Sequence, residues 1–278
     1  MTPRSPRHCH AAQCSEATAC RNSGLCKPTG PRVGGAGETW QEFLGAHLRE
    51  PVKNFGVGGY SVHQAFRRMQ RVELEGPEVA SLVVLNIYDD DHFRNLDSLR
   101  SIRSPGTGQP FTLPHLHVDL HDGSCTPVEN LCPTAADIMR LGVDDAWLLE
   151  TFADDPVLSA VLTARAEEAE AGRSEKSDVE RAEFEELSKN NVNFGLGSAS
   201  TTAGDQHAAA ALLATRHVVT EVEQLCEQIG ARFMLVLSFS EGVMAAALHG
   251  QPRFDETFLE FLRDKPYPVI DMRCAYLR

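Results

Sequence analysis

Two compact apolar runs stand out along the chain, SLVVLNIY at 81–88 and RFMLVLSF at 232–239. Runs of this length, rich in Val, Leu and Ile, are what strands covered on both faces show. Shorter runs of the same kind occur at 51–55, around VKNF, and at 267–271, YPVID. Between them the apolar spacing changes to that of helices. GETWQEFLGAHL sets Trp40, Phe43, Leu44 and Leu48 on one face, and SVHQAFRRMQRV and FDETFLEFL read as further helices. TAGDQHAAAALLATRHVVTEVEQLCEQIG predicts a long helix with Leu212, Val219, Val222 and Cys226 inward, capped by Thr202 with Asp205 and stopped at Gly230. Strands that alternate with helices predict an α/β domain on a parallel sheet.

The middle of the chain breaks this rhythm. FTLPHLHVDLHDGS alternates with period two and then turns at Asp122-Gly123. DAWLLETFADDPVLSAVLTARAEEAEAG is helical and grows acidic, and residues 165–189 read as a solvated helix or a lid. The segment at about 95–195 is therefore expected to be an insertion between two sheet strands.

Composition narrows the function classes. Hydrophobic residues make up 42% of 278, enough for a sizeable core, and the formal net charge is −13. That charge argues against a nucleic-acid binder, which needs a basic face. No apolar run reaches the ~18 residues of a membrane span. The first 33 residues differ from the rest, with Arg4, Arg7, Arg21, Lys27 and Arg32 against Glu16 alone. They carry Cys9, Cys14, Cys20 and Cys26, whose spacing lacks the paired C-x2-C of zinc sites, although His8 and His10 stand nearby. The expectation is a disordered or atypical leader at 1–33, followed by one α/β domain at 34–278. Neither a secretory signal nor a disulfide framework is visible, which favours a reducing, cytoplasmic setting.

The stretch NFGVGGYS at 54–61 places three glycines within four residues, between a strand and a helix. It matches a dinucleotide loop poorly, because Ser61 stands where G-x-G-x-x-G needs its third glycine. A plain βα turn and an oxyanion loop remain open. With its preceding helix, ETWQEFLGAHLREPVKNFGVGGYSVHQA resembles the second conserved block of the SGNH (GDSL-like) hydrolases. SLVVLNIYDDDHF falls where that family's third block stands, and ARFMLVLSF and PVIDM resemble its later strands. The likeness covers roughly residues 37–95 and 205–272. It implies a flavodoxin-like parallel sheet with helices on both faces, and hydrolysis or transfer of acyl esters by a Ser-His-Asp arrangement. It also implies three oxyanion donors: the Ser amide, a block-two Gly amide and a block-three Asn side chain. Carried onto this chain, Gly59 is the donating glycine, Asn54 braces the loop, and Gly58 and Ser61 complete it. No cofactor is implied, and the substrate is a small-molecule or carbohydrate acyl ester.

Three departures accompany the resemblance. The region upstream of the helix at 37 reads CKPTGPRVGGAGETW, with neither a G-D-S block nor an apolar strand, so the first strand is expected to be missing or degraded. The nucleophile is unassigned, since Ser15 and Ser23 lie in the leader and Ser61 suits a helix N-cap. Asp90 occupies the block-three Asn position, where a carboxylate can only accept hydrogen bonds and repels an oxyanion. No His follows His249, and Asp89 and His92 have D-x-x-H spacing in the wrong block. The expectation is a truncated, catalytically impaired hydrolase.

Two other classes stay in view. One is a non-catalytic binding protein on the same fold. The other is a metal-dependent hydrolase, because His115, His117, Asp119 and His121 recur at every second residue. On a strand all four would face one way and could ligate a transition metal, against the simpler reading of a polar strand face.

Overall fold

The computed structural model describes residues 9–14, 40–49, 52–57, 59–73, 80–104, 112–170, 194 and 202–276. Contacts divide the chain into two units, Met1–His92 with Thr215–Arg278, and Phe93–Ala214.

The first unit is built on a five-stranded parallel sheet. Its strands are β1 (Cys9–Cys14), β2 (Val52–Asn54), β3 (Leu82–Tyr88), β6 (Arg232–Ser238) and β7 (Val269–Asp271), in the order β2-β1-β3-β6-β7. β3 and β6 run in full register from Leu82↔Arg232 to Tyr88↔Ser238, and β7 pairs with β6 from Leu235↔Val269 to Leu237↔Asp271. The apolar runs at 81–88 and 232–239 predicted these central strands. Val83, Leu85 and Ile87 of β3 and their neighbours Phe233, Leu235 and Leu237 of β6 are buried on one face, and on the other Val84 is buried with Met234 and Val236 partly buried against it, so both faces carry apolar cover.

The central strand corrects the sequence reading. The first strand is neither missing nor degraded. β1 comes from inside the supposed leader and pairs in parallel with both β2 and β3, from Cys9↔Val52 and from Cys9↔Leu82. β1 fills the place between β2 and β3. The physical reason lies in tertiary pairing. CHAAQC contains no Val, Ile, Thr, Phe, Tyr or Trp, so propensity gives it no strand signal. The backbone groups along β3 still need partners on the edge away from β6, and β1 supplies them over six positions, Cys9–Cys14.

Helices connect these strands. α1 (Trp40–Leu48) precedes β2, and α2 (Val62–Arg68) follows it and continues as a π turn, Met69–Glu73. α3 (Asp91–Arg94) follows β3. The long helix of the sequence reading is α8 (Ala203–Ile229), whose first half belongs to the second unit. Asp205 N–H donates to Thr202 Oγ1 at 3.1 Å, and Gly230 ends the helix at φ +70°. Leu212, Val219, Val222 and Cys226 are all buried, as their spacing predicts. α9 (Glu241–Leu248), α10 (Glu256–Leu262) and α11 (Met272–Tyr276) complete the first unit.

The second unit holds α4 (Arg100–Arg103), the antiparallel hairpin β4 (His115–Asp119) and β5 (Ser124–Val128), α5 (Ala135–Leu141), α6 (Asp145–Thr151) and α7 (Pro156–Glu170). Asp122 and Gly123 form the hairpin turn, with Gly123 at φ +75° and Asp122 Oδ1 accepting from Ser124 N–H at 2.8 Å. Leu99, Cys132 and Phe152 form a buried cluster of this unit.

Candidate functional site

In a parallel α/β sheet, ligands bind outside the carboxyl ends of the strands, where the strand order reverses. In the first unit that reversal lies between β1 and β3. The segments that leave β2 and β3 at these ends hold Asn54, Gly59, Ser61, Asp89, Asp90 and His92, singled out in the sequence.

The segment after β2 is the glycine loop. Asn54 Oδ1 accepts from Gly56 N–H at 2.9 Å, so the side chain braces the loop it opens. Tyr60 N–H closes the turn on Val57 O at 3.2 Å. Gly59 is buried and has φ +81°, a left-handed conformation that strains any residue with a Cβ. Its N–H makes no hydrogen bond to a described residue. Ser61 is the N-cap of α2. Its Oγ accepts from Gln64 N–H and its own N–H donates to Gln64 Oε1, a complete capping box. That engagement explains Ser61 as a structural residue. Gly58 lies outside the described residues, as do Ser15 and Ser23.

The segment after β3 carries three consecutive aspartates with different tasks. Asp91 is buried and accepts from Tyr88 N–H at 2.9 Å. Asp89 is buried and accepts from Ser240 N–H at 2.8 Å, Ser240 Oγ at 2.5 Å and Asp90 N–H at 2.8 Å. Asp90 is half-buried. The D-x-x-H spacing of Asp89 and His92 does not become a catalytic pair. His92 is buried, its Nδ1 lies 2.9 Å from Thr215 Oγ1 on α8, and its ring meets Phe254 and Phe258 edge-on. Burial lowers its pKa to about 4, against the pull of the Asp255 and Asp90 carboxylates.

Sequence reasoning missed the residues that leave β6 and β7. Ser238 Oγ accepts from Asn86 Nδ2 at 3.0 Å, which ties β6 to β3. Arg253 is held between Asp255 and Asp271, at the end of β7, and stacks over Phe239 at 5.2 Å. Burial pulls its pKa down, but hydrogen bonds to both carboxylates outweigh that and hold the guanidinium charged. The sequence signals these residues weakly. Ser240 stands 151 positions from its partner Asp89, too far for any local pattern to join them.

The histidine strand belongs to the second unit. β4 turns Leu116 and Val118 inward and leaves His117 exposed, as period two predicts. The four candidate ligands do not share one open face, which corrects the metal geometry. His115 is buried, with Nδ1 on Leu113 O at 3.2 Å and the Asp155 and Asp97 carboxylates acting on it. The strand ends at Asp119, so His121 falls in the turn, where its N–H donates to Asp119 Oδ1 at 2.8 Å. Among the described residues no group of three or more His, Cys, Asp or Glu side chains is arranged to hold a metal ion.

His207 on α8 is likewise buried, stacked on Phe194 at 5.7 Å and edge-on to Phe93 at 5.2 Å. Burial and the Arg103 cation lower its pKa to about 4, and its Nε2 has no hydrogen-bond partner among the described residues. His92 and His207 therefore bind protons more readily in the unfolded chain, near pH 6.5, than in the folded one. Their contribution to stability is complete above about pH 6.5 and is lost as the pH falls toward 4, by on the order of 3 kcal/mol each. Urea unfolding at pH 7.5 and pH 5 should show a large loss in acid, and His207→Phe should remove part of that loss. An identical pH dependence in His207→Phe would contradict this assignment.

No family model, no curated protein and no solved structure matches this chain. Among the described residues no helix is long and apolar enough to cross a membrane.

Proposed function

We propose that this chain is an ester hydrolase of the SGNH type, acting on the acyl esters of small molecules or carbohydrates. The observation that carries the reading is Gly59, buried, left-handed and with an N–H that no described residue accepts, at the carboxyl end of β2. A buried amide of this kind is what a developing oxyanion needs, a donor fixed in place before the reaction. The strand order β2-β1-β3-β6-β7 supports the same reading, because flavodoxin-like sheets run 2-1-3-4-5 and the SGNH family resembles them.

β1 also alters the search for the nucleophile. In the family the serine follows the first strand. Here Ser15 is the residue that follows Cys14, the last of β1. In the reaction the Ser15 hydroxyl oxygen bonds to the ester carbonyl carbon, and the Gly59 N–H donates to the carbonyl oxygen as negative charge develops on it. The bond to the alkoxy oxygen then breaks, and the alcohol leaves with the serine proton. Water attacks the acyl-serine and releases the acid. Neither His92, committed to Thr215, nor His249, which ends α9 at the surface, is assigned as the base.

Asp90 favours a second reading, a non-catalytic binding protein, because an ionised carboxylate cannot donate to an oxyanion. One substitution separates the two. In the hydrolase reading the wild type turns over p-nitrophenyl acetate slowly, and Asp90→Asn, which restores a donor, raises kcat/KM about ten- to a hundredfold. Absence of saturable turnover in both proteins would leave the binding reading.

A further inference from the structure

We propose that Ser240 is a positioning residue of this site, acting through Asp89 on the turn that carries Asp90. The proposal rests on the hydrolase reading. Ser240 lies two residues beyond β6 and is the N-cap of α9. Its single hydroxyl proton goes to Asp89 Oδ2, at 2.5 Å, and its N–H goes to the same oxygen at 2.8 Å. With the proton spent there, the oxygen's lone pairs accept from Val243 N–H at 3.3 Å and cap the helix. The other carboxylate oxygen, Oδ1, accepts from Asp90 N–H at 2.8 Å. The backbone joins the same segments, with Asp89 N–H donating to Ser238 O at 3.1 Å.

The consequence is directional. Asp89 is only 6% exposed, so its charge needs these donors, and charge-assisted bonds to a buried carboxylate are strong and short. They hold Asp89 in one rotamer, and that rotamer fixes the Asp90 amide. The turn after β3 thus takes its geometry from the β6–α9 junction. Small displacements of groups on such a turn cost far more in rate than in binding.

Three substitutions separate positioning from capping. Ser240→Ala loses both the cap and the hydroxyl donor. Ser240→Asp keeps a good N-cap but sets a second carboxylate against Asp89. Ser240→Thr keeps both functions. We expect kcat to fall about ten- to a hundredfold in Ser240→Ala and Ser240→Asp with little change in KM, and to stay near wild type in Ser240→Thr. Amide hydrogen exchange at Asp90 should quicken in the first two variants and not in the third. Unchanged kcat and unchanged Asp90 exchange in Ser240→Asp would overturn the proposal. If the wild type shows no ester turnover, the hydrolase reading fails, and Asp90 exchange alone decides: quickening in Ala and Asp but not Thr supports the link, and no change overturns it.

Discussion

Replacing Ala11 by Pro should abolish cooperative folding of the first unit. Ala11 stands opposite Asn54 of β2 on one side and Val84 of β3 on the other. Proline has no N–H to give to either neighbour, and it is tolerated only at sheet edges. The substitution removes a ladder bond, leaves a carbonyl opposite it without a donor and forces φ, at a cost of about 3 kcal/mol or more. Domains of this size are stable by only about 5–15 kcal/mol. Thermal and urea melts followed by circular dichroism should show a steep fall in midpoint or no transition at all. A melt like that of the wild type would mean that residues 9–14 do not form the central strand.

Ser15→Ala should reduce ester turnover to about the level left by an oxyanion donor and binding alone. A nucleophile's hydroxyl serves the reaction and not the fold, so the melt should be unchanged. This combination, lost rate with retained stability, separates a nucleophile from a residue that supports the strand. If turnover survives in Ser15→Ala and disappears in Ser23→Ala, the assignment to the first residue after β1 is wrong.

The sequence made some of this fold legible and hid other parts for identifiable reasons. β3 was visible because a strand covered on both faces must be apolar along its length, as Val83–Leu85 are, and β6 because its run is equally apolar, with Phe233, Leu235 and Leu237 buried and Met234 and Val236 partly buried. α8 was visible because 27 residues of helical periodicity leave a buried stripe, and Gly230 marks where a left-handed residue ends it. The Asp122-Gly123 turn was visible from local chemistry alone. β1 was hidden because CHAAQC carries little intrinsic preference and its pairing is decided by β2 and β3, more than 35 residues on. In the glycine loop, the Asn54 brace and the Ser61 cap could be read from one contiguous stretch. The Asp89–Ser240 link could not, because two short polar residues 151 positions apart give no pattern. The histidine alternation predicted the inward Leu116 and Val118 correctly, but periodicity does not say where a strand stops, and β4 stops before His121.

The central claim is a serine nucleophile at the carboxyl end of β1, working with the Gly59 amide. The direct measurement is to treat the full chain with a fluorophosphonate, digest it and map the adduct by mass spectrometry. The account predicts a single adduct on Ser15, formed at a rate that falls when a competing acyl ester is present. An adduct on Ser61 or Ser240, or ester turnover that no fluorophosphonate blocks, would contradict it.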